Sequence, residues 1–273
     1  KVPTTKDNIV LFDMDGTLTE ARKKANWSIV RPLRELSKHA HIGIVTGSPM
    51  TYLEQQCGIL WTELGSVNID CISLFPCNGT QYYAYDFRQS SWVANSNTSM
   101  KDHIGNDNYR QLIREILSIQ AWYSDNNHGL PLTGNFISDR QSMVNWCPVG
   151  RDADDNCRSE FVAFDKEQRC RETLKEELED ALSQVSIENI VCTLGGNTSI
   201  DIYPSGWDKT YVLRHLDMYK TVYFVGDKCT GYGNDRSLYE ELDPGVTSFE
   251  TTGPDDTMKI IRNIIKSMDE KNA

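Results

Sequence analysis

No run of apolar residues in this chain approaches the ~18 needed to cross a bilayer as a helix, so no membrane partner is expected. Positive charge is in deficit as well. Lys and Arg number 28 against 39 Asp and Glu, a net charge of -11 that argues against a broad nucleic-acid or anionic-membrane surface. It leaves room for a small pocket in which a few clustered arginines dominate. The polar stretch of residues 1–8 has no signal-peptide core, and a cytoplasmic location is expected. Cysteine is plentiful but unpatterned: the 8 thiols form no C-x-x-C pair and no zinc spacing, so reduced, buried cysteines are expected rather than a disulfide framework. Asn-x-Ser/Thr triplets at Asn26, Asn78, Asn97 and Asn197 arise too easily by chance to carry weight. Internal repeats and low-complexity linkers are missing.

The most informative segment is Ile9-Val10-Leu11-Phe12-Asp13-Met14-Asp15-Gly16-Thr17-Leu18. An apolar strand there ends in two acids that repel each other, which makes sense if a positive group sits between them. Residues i and i+2 of an extended chain point the same way, so Asp13 and Asp15 face one spot beyond the strand. Gly16 lets the backbone turn tightly and leaves amides open to an anion. A nucleophilic Asp, a second Asp and a hard cation make a phosphoryl-transfer site.

At 273 residues the chain has room for one large domain or two modest ones. Its first part reads as alternating strand and helix: strands at 9–12, 42–45 and 70–75, helices at 30–39 and 51–57. This βαβ pattern implies a parallel sheet with its site at the carboxyl ends of the strands. The middle reads differently, with aromatic and polar short strands from Gln81, helical spacing from Tyr109 to Leu117, and a strand pair at 136–140 and 143–146. An amphipathic helix at 172–185 and a hairpin of 190–194 with 199–203 follow. The last stretch returns to the first style, with a buried strand at 221–225 and a closing helix through Met258, Ile261, Ile264, Ile265 and Met268. The expected organisation is an α/β core built from residues 1–84 and 204–273, with an α+β cap inserted at 85–203.

Three segments that each follow a parallel strand should converge on one crevice: Asp13 with Asp15, Thr46-Gly47-Ser48, and Asp227 with Gly233-Asn234-Asp235. Asp13 is the candidate nucleophile and Asp15 the general acid and base. Asp227 and Asp235 would hold Mg²⁺ beside them. Thr46 or Ser48 would donate to phosphoryl oxygens, and Lys209 would neutralise developing charge. Singly, each has a duller reading as a turn residue, a helix cap or, for Asp-x-Asp-Gly, a calcium-loop fragment that lacks the EF-hand glutamate. Their order after three strands favours a shared site.

The arrangement resembles the haloacid dehalogenase (HAD) superfamily, and the longer motifs resemble the eukaryotic-type phosphomannomutases. Asp13-Met14-Asp15-Gly16-Thr17-Leu18-Thr19 with Arg22, Phe136-Ile137 with Arg140, Pro148-Val149-Gly150-Arg151 and Arg158 carry the likeness. So do the run Gly195-Gly196-Asn197-Thr198-Ser199-Ile200-Asp201 through Trp207-Asp208-Lys209, then Tyr223 to Lys228, Gly233-Asn234-Asp235 and Pro254 to Thr257. The resemblance covers nearly the whole chain. It implies a HAD-like Rossmannoid core with an inserted cap, and interconversion of mannose 6-phosphate and mannose 1-phosphate by way of a hexose 1,6-bisphosphate activator. It also implies small hexose phosphates as partners and a homodimer through the cap. Asp13 matches the phosphorylated nucleophile and Asp15 the acid/base. Arg22, Arg140, Arg151, Arg158, Ser199 and Asp201 match sugar-phosphate positions, and Asp13, Asp15, Asp227 and Asp235 a Mg²⁺ site. Tyr239 and Asp243 lie where the family has a second, structural cation loop, lengthened here.

Arginine forks suit a phosphate dianion better than lysine does. Read without the resemblance, the same arginines fit a solvated face, and Ser199 with Asp201 an ordinary polar strand face. Two positions depart from the family pattern: Cys77 replaces an acid before Asn78-Gly79, and Thr46 replaces a glycine and matches many HAD phosphatases. A sugar-phosphate phosphatase and a non-catalytic sugar-phosphate binder are therefore the alternatives.

Overall fold

The computed structural model describes residues 6–272. The opening residues 1–5 of the polar N-terminal stretch lie outside the described part. In chain order the first elements are β1 (Asn8–Phe12), α1 (Val30–Leu36), β2 (His41–Val45), α2 (Met50–Cys57), α3 (Ile59–Thr62) and β3 (Ile72–Phe75). β4 (Gln81–Asp86) and β5 (Ser91–Asn97) complete this part. The middle contains α4 (Met100–Ile104), α5 (Asn106–Asn126), β6 (Ile137–Asp139), β7 (Val144–Trp146), α6 (Asp155–Gln168) and α7 (Cys170–Gln184). It closes with β8 (Ile190–Gly195) and β9 (Ser199–Pro204). A 3₁₀ turn at Lys209–His215 leads to β10 (Thr221–Gly226), α8 (Arg236–Glu241), β11 (Ser248–Glu250) and α9 (Pro254–Asn272).

Two compact units result. One gathers the chain up to Asn97, Trp207–Gly231 and the residues from Asp235 on; the other gathers Thr98–Gly206 with Tyr232–Asn234. The core unit holds a seven-stranded sheet in the order β11-β10-β1-β2-β3-β4-β5. Pairing is parallel from β11 to β3 and antiparallel across β3-β4-β5. β4 and β5 therefore extend the core sheet to its β5 edge, and the second compact unit starts after Asn97 and not at residue 85. The change in style at Gln81, from buried runs to half-exposed aromatic ones, marks a switch from central parallel to antiparallel edge pairing.

The core strands are apolar on both faces because helices cover both faces. Val10, Phe12, Ile42 and Ile44 pack on one side with Leu33 of α1 and Ile261 and Ile264 of α9. Ile9, Leu11, Val45 and Phe75 pack on the other with Val212, Leu216 and Leu238. That alternation along β1 and β2 follows from the period of two in a strand. The expected strand at 70–75 begins only at Ile72. Asn68 accepts the Asp70 amide and winds Ile69–Cys71 into a 3₁₀ turn first.

The inserted unit carries a four-stranded antiparallel sheet, β6-β7-β9-β8. Leu112 and Ile116 of α5, Leu174, Leu178 and Leu182 of α7, and Ile200 and Ile202 of β9 are buried in it. Trp146 is fully buried and donates its indole N–H to Gln120 Oε1 at 2.7 Å, while Gln120 donates to the Pro148 carbonyl at 3.0 Å. The polar atoms of that pair are thus satisfied inside the core. Helix α6 had no counterpart in the sequence pattern. Phe161 is its one buried residue among those described, and it starts from an Asp154 side-chain cap on the Cys157 amide at 2.8 Å. All 8 cysteines are free, as expected for reduced thiols. Among the described residues no helix is long and apolar enough to cross a membrane.

Ile44 lies in β2 one residue from the strand tip, with no exposed surface. Ile44→Ala should cost about 2–5 kcal/mol, as for a cavity in a packed core. Chemical denaturation of the two proteins checks it through a lower midpoint with an unchanged slope.

Candidate active site

Asp13 follows directly on β1, and its amide donates to the Val225 carbonyl of β10 at 2.9 Å. This continues the ladder by one bond and fixes the residue at the mouth of the parallel sheet. Its side chain is buried, with 5% exposure. Lys209, fully buried at the start of its 3₁₀ turn, donates to Asp13 Oδ1 at 2.6 Å and also to Asp235 Oδ1. The second oxygen of Asp235 accepts the amides of Asp227 and Lys228 at 3.0 and 3.1 Å. Asp235 is thereby pinned from two directions, and it holds the loop after β10 against Lys209.

Asp13, Asp227 and Asp235 bring one oxygen each within 4.8 Å of one another. Two glycines leave room for this. Gly16 has φ +79°, and a Cβ there would stand 2.2 Å from Asp227 Oδ2; a Cβ on Gly226 would stand 2.6 Å from Asp235 Oδ2. Three carboxylates around one ammonium leave the cluster short of positive charge. Burial and then the Asp235 carboxylate push the Asp13 carboxyl well above its usual range, against the pull of Lys209. Burial and Asp235 likewise push Asp227 up to about 6. For Lys209 burial acts to lower the pKa, but the carboxylates of Asp13 and Asp235 outweigh it and raise it, so the ammonium stays charged. An all-oxygen, all-carboxylate donor set with excess negative charge fits a hard divalent cation such as Mg²⁺ and not a thiophilic one.

The other expected core residues fall around this centre with different roles. The Asp15 carboxylate lies outside the three-acid group; its Oδ1 accepts the Arg22 amide at 2.8 Å, leaving it an acid/base candidate and removing it from the carboxylate cluster. Arg22 itself is exposed, at φ +61°, and its backbone is what touches Asp15. The Gly16 amide donates to Thr19 O at 2.8 Å, so it closes a turn and is not open to an anion. Thr46 is buried at the tip of β2, where its Oγ1 accepts the Ser48 amide at 3.1 Å. Tyr239 and Asp243 are outside the acidic group. The Tyr239 carbonyl accepts the Ser248 hydroxyl, and the Asp243 carbonyl accepts the amides of Val246, Thr247 and Ser248. In the lengthened loop these carbonyls close turns within the protein.

Sequence reading missed what holds Lys209 in place. Asn78, at φ +63°, donates to the Trp207 carbonyl at 3.4 Å, and His215 Nε2 sits 2.8 Å from the Gly79 carbonyl. The Asn78-Gly79 turn after β3 thus brackets the 3₁₀ turn at both ends. An Asn-Gly pair signals a turn, but nothing in it names the partner.

In the inserted unit, Ser199 and Asp201 lie two apart on β9 and are both buried, at 6% and 4% exposure. Arg151 Nη1 donates to Asn145 Oδ1 at 2.6 Å, and Asn145 Nδ2 donates to Asp201 Oδ1 at 2.8 Å. Arg140 is buried just after β6, with its amide on the Met143 carbonyl. Arg158, half-buried, is in the first turn of α6. Arg171 donates to the carbonyls of Gly195, Gly196 and Ser199 and pairs with Asp165 at 2.7 Å, which locks the β8-β9 turn. Asn145 and Arg171 were not among the expected residues; a lone Asn inside the apolar run Met143–Trp146 was the available signal.

A family profile for eukaryotic phosphomannomutase matches residues 29–267. This chain belongs to the eukaryotic phosphomannomutase family. The family's members are phosphotransferring isomerases, so the chain is an enzyme. Among curated relatives it is 34% identical over 257 residues to a phosphomannomutase of Arabidopsis thaliana, covering 92% of this chain and 93% of the relative. It is 33% identical over 268 residues to the phosphomannomutase of Schizosaccharomyces pombe, covering 97% and 95%. Solved structures agree in fold. An IMP-bound IMP-nucleotidase mutant of Plasmodium falciparum aligns with a TM-score of 0.62 at 12% identity, over 96% of this chain and 67% of that one. A trehalose-6-phosphate phosphatase related protein aligns at 0.52 and 15% identity, over 96% and 99%. These neighbours bear out the fold, a mostly parallel α/β core sheet with an inserted α+β unit.

Protons compete with a cation for the same carboxylates. With Asp227 raised to about 6 and the Asp13 carboxyl raised as well, Mg²⁺ affinity should fall as the pH drops through about 6. Calorimetric Mg²⁺ titrations from about pH 5.5 to 7.5 read the slope directly, and a flat profile would remove Asp227 from the ligand set.

Proposed function

We propose that this chain is a Mg²⁺-dependent phosphomannomutase that interconverts mannose 6-phosphate and mannose 1-phosphate through an aspartyl-phosphate on Asp13. The product would feed GDP-mannose synthesis. The observation that carries the reading is the buried Asp13 carboxylate, held at a parallel-sheet mouth against Lys209 in a chain of this family. An Asp13 oxygen attacks a phosphorus of the hexose 1,6-bisphosphate activator. The departing sugar oxygen takes a proton from Asp15, which the Arg22 amide orients. In the second half a hexose monophosphate offers the hydroxyl at its unphosphorylated end, and Asp15 takes the proton while that oxygen attacks the phosphorus on Asp13. This frees the Asp13 carboxylate and leaves a 1,6-bisphosphate. Turned end for end, the bisphosphate returns its other phosphoryl group to Asp13 and departs as the isomeric monophosphate. Lys209, which donates to Asp13, would offset charge on the transferred group, and Thr46 would donate to its oxygens. Mg²⁺, held by Asp13 and Asp227 with Asp235 supporting, supplies neutralisation of that charge when bound.

Arg140, Arg151 and Arg158 of the inserted unit grip the phosphate that is not being transferred, with Ser199 and Asp201 reading sugar hydroxyls. The reading also carries hexose phosphates as partners and a homodimer through the inserted unit, which light scattering tests. Thr46 in place of the family's glycine keeps a phosphatase activity as the second reading.

Labelling with ³²P-hexose 1,6-bisphosphate tests the core of this. Asp13 should trap the label and return it to a sugar, and release chiefly as inorganic phosphate would favour the phosphatase. Asp13→Asn should lose both label and turnover; unchanged turnover removes Asp13 as nucleophile. Arg140→Ala should weaken mannose 1-phosphate binding by about 2 kcal/mol or more in calorimetry, as for a lost charge-assisted contact.

A further inference from the structure

In the inserted unit an uncharged side chain stands between a charged pair. Asn145 of β7 is opposite Asp201 of β9 in the sheet register and is buried, with 3% exposure. Its amide is used at both ends: Oδ1 accepts from Arg151 Nη1 at 2.6 Å, and Nδ2 donates to Asp201 Oδ1 at 2.8 Å. Because one partner is a pure donor and the other a pure acceptor, only one orientation of the amide satisfies both. Asp201 in turn cannot retreat toward β8 unless the neighbouring backbone is bare. Gly195 meets that requirement, since a Cβ there would lie 2.5 Å from Asp201 Oδ2.

A carboxylate in contact with Arg151 would pair with the guanidinium and offset the charge that a phosphate needs. An apolar spacer would leave the buried Asp201 oxygen unsatisfied at a cost. An asparagine avoids both: it aims the guanidinium and anchors the carboxylate while adding no charge. We propose that Asn145 is a positioning residue for the hexose-phosphate site, setting the direction of Arg151 and Asp201 through the two ends of one amide. This rests on the proposed function only in assigning Arg151 and Asp201 to hexose phosphate.

The test is a double-mutant cycle on the full chain, read as mannose 1-phosphate affinity by calorimetry without bisphosphate. Asn145→Ala should weaken binding about tenfold, and Arg151→Ala about a hundredfold, as for loss of an oriented charge-assisted contact. Asn145→Ala added to Arg151→Ala should cost less than about threefold more, because Asn145 acts through that arginine. A merely structural role would instead give additive losses, and additivity overturns the proposal. Asn145→Asp keeps the shape and supplies the charge that the native side chain withholds, so it should bind more weakly than Asn145→Ala; equal or tighter binding also overturns it. Should Asn145→Ala not fold by circular dichroism, Asn145→Ser carries the same cycle. No binding of mannose 1-phosphate by the unmutated chain strikes the proposed function itself, whereas binding with an additive cycle strikes the Asn145 assignment alone.

Discussion

The ammonium of Lys209 is the contact on which the core site depends. Removing one charge from water is costly, and this one has no exposed surface at all. It persists because carboxylates from two distant parts of the chain, Asp13 and Asp235, meet it directly. The converse holds for the acids. Without the lysine, Asp13 and Asp235 would be buried like charges whose repulsion opposes the fold. One cation therefore ties the first strand of the parallel sheet to the loop after β10.

That balance is deliberately incomplete. Asp227 completes a three-acid group that a single ammonium cannot neutralise, and the raised proton affinities of Asp13 and Asp227 express the shortfall. A site built for stability alone would close that gap with another internal donor. The sheet mouth leaves it for a hard cation and for a phosphoryl group, which also arrives with oxygen ligands. In the inserted unit the logic runs the other way. Asn145 adds no charge of its own and ties Arg151 to Asp201 through one amide.

How much of this was readable beforehand follows from range. Asp13 and Asp15 announced themselves because two acids closing an apolar strand violate the local pattern. β1, β2, β10 and α9 were legible because buried strands and amphipathic helices are written in neighbouring residues. The longer motifs also pointed to Arg140, Arg151, Ser199 and Asp201 by resemblance. Other features were not local. Nothing near Gln81 says that β4 joins the core sheet, since edge pairing depends on β3 having a free side. Nothing near Asn145 reveals Arg151 on one flank and Asp201 on the other. Asp15 looked like a cation ligand because alternation puts it on the face of Asp13, but the turn at Gly16 breaks the strand and hands its carboxylate to the Arg22 amide.

The register of the central strand has a consequence for how the molecule is made. β1 lies between β2 and β10, and Asn8 pairs with Thr221, so its second neighbour is synthesised long after the first. The inserted unit, by contrast, draws nearly all its residues from one unbroken stretch, Thr98–Gly206. During translation the insertion can collapse while the core still waits with one flank of β1 unpaired. Asp13 emerges early, but Lys209, Asp227 and Asp235 follow only after the whole inserted stretch has been made. The acidic cluster and its lysine therefore come together only after β10 has been made, and a product truncated before β10 lacks Asp227 and Asp235.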